Sequence, residues 1–428
     1  MNPLPERAAA MTDVSHLLEH LFRRQSARIV AALTRAIGAR HLALVEEAVQ
    51  DALVTALQQW PYRGVPDDQA GWLFRVARNR ALDRLRHHKI VEDKVQAVAE
   101  IYESRTGTAP EALLAGELPA VDDDQLALMF LTCHPVLSHE ARVALTLKLV
   151  GGFGVGEIAR AFLVQESAIA QRLVRAKRVL REKDLAFGQP AAADLADRLE
   201  SVLEAVYLMF NEGYAATAGD VLVREDISAE AIRLAALLTR HPASAVPRTW
   251  ALLALLLLHA ARFRSRCGLD GELYLLRDQD RSLWDRALLS EGLRALDRAA
   301  AGDEISTYHL EAEIAACHAV APAWIDTDWA RILGCYDRLA ALTGSPIVAL
   351  NRAIAKAHVA GVRAAIADVE ALGSAAALKG YHLLPAVLAE MWREAGDVNR
   401  AARYYGEALT LAVTGPERRF LTARLEAL

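Results

Sequence analysis

The chain has 428 residues, enough for two or three domains with separate cores, and 53% of them are hydrophobic, with Gly and Pro sparse between long periodic stretches. That composition points to an all-α protein and excludes a single small module. The net charge of −5 does not suit a uniformly basic nucleic-acid binder, so any such role must rest on local clusters of Arg and Lys. Cys133, Cys267, Cys317 and Cys335 stand far apart without CxxC spacing, which predicts reduced, mostly buried thiols in place of a zinc site or disulfide framework. The longest apolar run, Ala251 to Ala261, falls short of the roughly 20 residues that cross a bilayer and reads as a buried core helix. Glu6 and Arg7 stand where a signal peptide would need an apolar stretch. A cytoplasmic location without membrane contact is therefore expected, with Met11 an alternative start to Met1.

In chain order, three or so helices are predicted from His16 to about His88, broken by a loop at Trp60 to Pro66, where two prolines and a glycine interrupt the pattern. Residues 90–121 carry Gly107, Pro110, Gly116 and Pro119 and read as a linker. Asp122, Asp123 and Asp124 then open a helix, since a helix N-terminus favours acidic side chains. A second unit, 122–186, ends in helix-turn-helix spacing: a helix over Val155 to Phe162, a turn at Leu163 to Glu166, and a helix to about Arg181 with Ser167 as its cap. Gly188 to Pro190 separates it from an all-helical region, 190–428. Beyond about residue 306 a period of 34 pairs Ala355 with Ala389, His358 with Trp392 and Ala367 with Ala401, which is tetratricopeptide spacing. Tyr308-His309-Leu310 recurs as Tyr381-His382-Leu383.

Three constellations carry chemistry. Around Trp72, helical periodicity turns Leu73, Val76, Ala77, Ala81 and Leu85 inward and Arg75, Arg78, Asn79 and Arg86 outward. Arg can contact phosphates and Asn a base edge, and the aromatic, basic loop of Trp60, Tyr62 and Arg63 could enclose an unpaired base. A solvated basic face is the plainer alternative. In the second, Glu47 and Asp51, and Glu46 and Gln50, lie one turn apart, and with no His at ligand spacing a protein-docking face is expected, without metal. The third is the segment from Ser167 to Arg181, where Arg172, Arg175, Lys177, Arg178 and Arg181 occur with no acid among them. Ile169, Leu173, Ala176 and Leu180 form the apolar stripe that would seat this helix, and its N-terminal residues would lie nearest the bases of a major groove.

In this order the motifs Glu46-Glu47-Ala48-Val49-Gln50-Asp51, Trp72-Leu73 with Arg78-Asn79-Arg80-Ala81-Leu82-Asp83, and Glu157-Ile158-Ala159 followed by Arg172-Leu173-Val174-Arg175-Ala176-Lys177 resemble regions two and four of extracytoplasmic function sigma factors. The resemblance covers roughly residues 12–186. Cys133-His134-Pro135, Glu140 to Leu147 and Tyr207 to Tyr214 resemble the subgroup with a large tetratricopeptide-like C-terminal extension. It implies a region-two domain at 12–89 and a region-four domain at 122–186. Glu46, Glu47, Gln50 and Asp51 would face the RNA polymerase core; Trp60, Tyr62, Arg63, Trp72, Arg75, Arg78 and Asn79 would open and read the minus-ten element. Ser167, Gln171, Arg172, Arg175, Lys177 and Arg178 would lie on the minus-thirty-five element, although Ala168 and Ala170 depart from the Thr and Lys often found there. Promoter DNA and polymerase core are thus the expected partners, with a regulatory protein or peptide at the extension.

Asn211 and Glu212 beside Tyr207 and Tyr214 read either as a polar contact between the sigma part and the extension or as an ordinary buried cluster. No phosphate loop, nucleophile elbow or His-carboxylate cluster is present, and His134, His309, His318 and His382 sit in apolar helical contexts. The expected protein is therefore not an enzyme and uses no cofactor. The alternative is a stand-alone helix-turn-helix activator with a helical sensor domain, which leaves the first 88 residues without a task.

Overall fold

The computed structural model describes residues 25–99, 121–162, 164–183, 185–188, 190, 192–214, 223–266, 268, 273–375 and 378–428, and no β-strand occurs among them. The all-α expectation holds. Two compact units divide the chain, Met1–Met209 and Phe210–Leu428.

In the first unit a helix over 25–37, α1, is followed by a 3-10 turn at Ala39–His41, α2 (Leu42–Arg63) and α3 (Gln69–Ala99). Val45, Ala48, Val49, Ala52 and Ala56 of α2 are buried, as are Leu73, Phe74, Ala77 and Ala81 of α3, and these small and branched faces let the two helices pack closely. The expected loop at Trp60 to Pro66 is shorter than its sequence suggests. Pro61 sits inside the last turn of α2, which continues to Arg63, and Gly64 ends it with φ +83° and an N–H donated to the Trp60 carbonyl at 3.0 Å. Asp68 then caps α3 by accepting from the Gly71 N–H at 2.9 Å. The linker expected from Ile90 also begins later, because α3 meets no Gly or Pro before Ala99; residues 100–120 lie outside the described residues.

The rest of the first unit comprises α4 (Val121–Thr132), α5 (His139–Leu149), α6 (Val155–Ala161), α7 (Glu166–Lys183) and the start of α8 (Ala192–Tyr214). Asp124, buried in the first turn of α4, pairs with Arg35 of α1. The Cys133-His134-Pro135 turn is a joint. The Cys133 thiol is pushed up to about 12 by burial and lies 3.2 Å from Thr146 Oγ1, while Arg142 donates to Asp197 at 2.9 Å and Arg198 to the Phe130 carbonyl at 3.3 Å, tying α8 to α4 and α5.

The second unit is centred on α10 (Pro247–Ala260), the expected core helix, whose residues Ala251 to Leu258 are all buried. Around it pack α9 (Glu225–Arg240), α12 (Arg286–Ala299) and α13 (Thr307–Val320); α11 (Phe263–Arg266) is a single turn. A Cβ at Gly292 would lie 2.9 Å from the Leu258 side chain, so glycine is what allows α12 to approach α10 so closely. The Tyr207 to Tyr214 motif ends in a polar cluster of this unit, where Arg262 donates to the Tyr214 hydroxyl at 3.0 Å and the Arg266 guanidinium lies 3.6 Å over its ring. Burial, with Arg262 and Arg266 alongside, holds His259 well below its ordinary pKa and keeps it neutral.

Helical hairpins complete the unit: α13 with α14 (Trp329–Thr343), α15 (Pro346–Ala360) with α16 (Val362–Ala371), and α17 (Leu383–Glu394) with α18 (Val398–Leu411), followed by α19 (Gly415–Glu426). Ala355 and Ala389 are both buried, as the 34-residue spacing requires, but Ala367 is exposed where its expected partner Ala401 is fully buried. Ala365 fills the equivalent small position, because Gly361 alone separates α15 from α16 and shifts the register of the second helix. Cys133, Cys317 and Cys335 are free and buried, as expected, while Cys267 lies outside the described residues.

Candidate nucleic-acid interface

The second helix of the expected helix-turn-helix, α7, is strongly two-sided. Ile169, Leu173, Ala176 and Leu180 of α7 are at most 4% exposed and pack on α5 and α6, while Ser167, Gln171, Arg175, Arg178 and Arg181 face solvent. The helix starts two residues earlier than a Ser167 cap would give. Glu166 occupies its first turn, where an acid complements the helix dipole, so Ser167 lies within that turn instead of capping it. Arg172 is partly covered, with its guanidinium 5.6 Å over the Phe162 ring at the end of α6.

Lys177 behaves differently from its neighbours. Its ammonium donates to Glu46 Oε2 at 2.8 Å, so a residue expected on DNA and one expected on polymerase are bonded to each other. Glu46 is 7% exposed and also accepts from Gln50 at 3.4 Å. Glu47 and Asp51 remain largely outside and share Arg84 of α3, which donates to Asp51 at 2.7 Å and forms an ion pair with Glu47 at 3.4 Å. The acidic side of α2 is thus organised by Arg84, whose place within the basic run of α3 gives no sign of that role in the sequence. Cross-helix pairing of that kind has no signature in spacing.

Tyr62 is 75% exposed, and Arg63, Arg75 and Asn79 are exposed as well. Arg78 is half-buried and donates to Asn79 Oδ1 at 3.5 Å, and Arg75 pairs with Asp68 at 3.6 Å. Trp60 is not on an open loop. It is 3% exposed and meets Trp72 edge to face at 5.5 Å, so it supports the half-buried Trp72 from beneath. The candidate interface therefore combines an exposed Tyr62-Arg63 rim, a polar outer face on α3 and a separate cationic face on α7. Such a surface can bind phosphates and reach base edges.

Among the described residues no cluster of His, Cys, Asp and Glu could hold a metal ion, and no helix is long and apolar enough to cross a membrane. Residues 21–90 match the sigma-70 region 2 family, the part of sigma factors that binds RNA polymerase core and promoter DNA, and residues 198–300 match a family of unknown function (DUF6596). The chain is 38% identical to the uncharacterized protein R00370 of Rhizobium meliloti (strain 1021) over 418 residues, covering 94% of this chain and 95% of that one. No solved structure matches. The chain belongs to the same family as that Rhizobium meliloti protein, and its residues 21–90 are a sigma-70 region 2 domain.

Proposed function

We propose that this protein is a sigma factor of the extracytoplasmic function type, which directs RNA polymerase to promoters and is regulated through protein contacts by a tetratricopeptide-like extension. The reading is carried by one conjunction: a sigma-70 region 2 domain at residues 21–90, followed in the same unit by a helix-turn-helix whose second helix buries one stripe and exposes a cationic face. Domains are assigned at 12–89 for region two, 122–186 for region four and 190–428 for the extension.

Glu47, Gln50 and Asp51 form the polymerase-facing side of α2, with Glu46 joining them once it leaves Lys177. Tyr62 and Arg63 capture unpaired minus-ten bases, Arg75, Arg78 and Asn79 hold the strand, and Trp60 braces Trp72 against them. On the minus-thirty-five element, Ser167, Gln171 and Arg172 lie nearest the base edges, while Arg175, Lys177 and Arg178 hold phosphates. Loading onto polymerase and promoter exchanges the internal Glu46–Lys177 pair for external partners, so the free chain holds one residue of each face in reserve.

Gel filtration of the purified full chain with RNA polymerase core tests this reading. A sigma factor co-elutes one to one with the core, and Glu47→Lys with Asp51→Lys abolishes co-elution while the helical circular dichroism is retained. Separate elution of the unaltered chain would leave the stand-alone activator as the better account.

A further inference from the structure

Between α11 and α12, the described residues 273–285 run without regular helix, apart from single 3-10 turns at Leu276–Asp278 and Arg281–Leu283. Its ends are fixed by backbone bonds, Tyr274 N–H to the Arg266 carbonyl and Asp285 N–H to the Ala261 carbonyl, each at 2.9 Å, and Trp284 is buried. Between those anchors no residue of 274–283 is buried, yet the segment is held by charge at several helices in turn. Arg281 donates to the carbonyls of His318 and Ala321, at 2.6 and 2.8 Å, capping the C-terminal end of α13. Arg277 donates to Glu390 Oε2 of α17 at 2.9 Å, and Asp278 accepts from Arg424 of α19 at 3.2 Å.

Those contacts have a common feature: α13 and α17 are the first helices of their hairpins, and α19 follows the last hairpin in the same alternation. Arg277 also acts electrostatically on His358 of α15, the first helix of the remaining hairpin. A stack of helical hairpins presents one such set of helices along a continuous face, the surface repeat arrays offer to extended peptides. The segment lies along that face the way an extended ligand would, held there by two arginines four positions apart, with burial confined to Trp284 at its end. The Glu390 receptor is itself well built, since its carboxylate also accepts from the Tyr405 hydroxyl at 2.5 Å and from Arg393 at 2.9 Å.

We propose that residues 274–285 are an internal ligand of the hairpin array, and that the external partner is a protein whose extended segment carries two arginines in the same spacing and displaces them. This occupant rests on, and narrows, the protein-binding role proposed for the extension. A failed promoter reading would show as missing transcript, whereas a failure here shows only in peptide binding.

The test uses the full chain and a fluorescein-labelled synthetic peptide of residues 273–285. The peptide is expected to bind the Arg277→Ala, Arg281→Ala double variant at least tenfold more tightly than the unaltered protein, and Glu390→Gln added to that variant should remove the gain. Hydrogen exchange should show 274–285 losing protection in the double variant while α13 to α19 keep theirs. Equal binding to both proteins, or no binding to either, overturns the proposal. Loss of the helical circular dichroism signal in the double variant does so too, because the segment would then be part of the core.

Discussion

Arginines serve opposite ends in the two units. On α7 of the first unit, Arg175, Arg178 and Arg181 stand exposed over a buried apolar stripe, whereas in the second unit Arg277, Arg281, Arg393 and Arg424 converge on carboxylates and helix-end carbonyls of the chain itself. A cation left in water can release counterions and bind an external polyanion; a cation with an internal acceptor contributes to architecture until something displaces it. Lys177 belongs to both classes. It lies on α7, the helix proposed to read DNA, but is bonded to Glu46, which makes that pair the place where the two uses of charge meet.

The contrast can be broken most forcefully at the stripe beneath the exposed cations. Leu173 is 4% exposed, so Leu173→Ala should cost about 3 kcal/mol in urea unfolding of the first unit and lower promoter affinity only through lost folding. In the second unit burial opposes ionisation of Glu390, but hydrogen bonds from Tyr405, Arg277 and Arg393 outweigh it and hold its pKa at about 2 against an ordinary 4.5. A depressed carboxylate contributes stability that is complete above the unfolded value and lost as pH falls from about 4.5 towards 2. Glu390→Gln should therefore be less stable than the unaltered chain by about 2 kcal/mol at pH 7, with the difference shrinking as pH falls through 4.5 and vanishing only below about pH 2 in acid titration. A difference that persists unchanged at the acid end would assign the loss to packing.

At the exposed cations the expectation reverses: Arg175→Ala should shift stability by less than about 0.5 kcal/mol yet weaken promoter binding about tenfold and flatten its salt dependence by about one phosphate contact. The smallest effect is expected where the classes meet. A double-mutant cycle of Glu46→Gln and Lys177→Met in the free chain should give a coupling of about 1 kcal/mol, read from denaturant midpoints, because the pair is partly shielded from water. Zero coupling would make the contact incidental.

The parts governed by local periodicity were legible in the sequence. Ile169, Leu173, Ala176 and Leu180 recur at helical spacing and are all buried, and the apolar run at Ala251 became the core helix of the second unit. What depended on long-range pairing was not. Arg84 reaches back to Glu47 and Asp51 of the preceding helix, Arg277 meets Glu390 in α17, and nothing in either local pattern marks the partner. Trp60 was misplaced for a different reason: Pro61 looks like a breaker, but its missing N–H costs α2 a single bond to the Leu57 carbonyl, and the turn still closes through the Gly64 N–H on the Trp60 carbonyl, so the helix runs on to Arg63 and the indole turns inward. The repeat register failed at Ala367 because turn lengths, which set it, follow from tertiary packing and not from composition.

Reconstituted initiation measures the central claim most directly. With RNA polymerase core as the sole other protein, the purified chain should produce a run-off transcript from a promoter identified by sequencing the DNA it occupies in cells, and Arg175→Ala with Arg178→Ala should reduce that transcript at least tenfold. No transcript from core and unaltered chain, with transcript restored only when another sigma factor is added, would contradict the account.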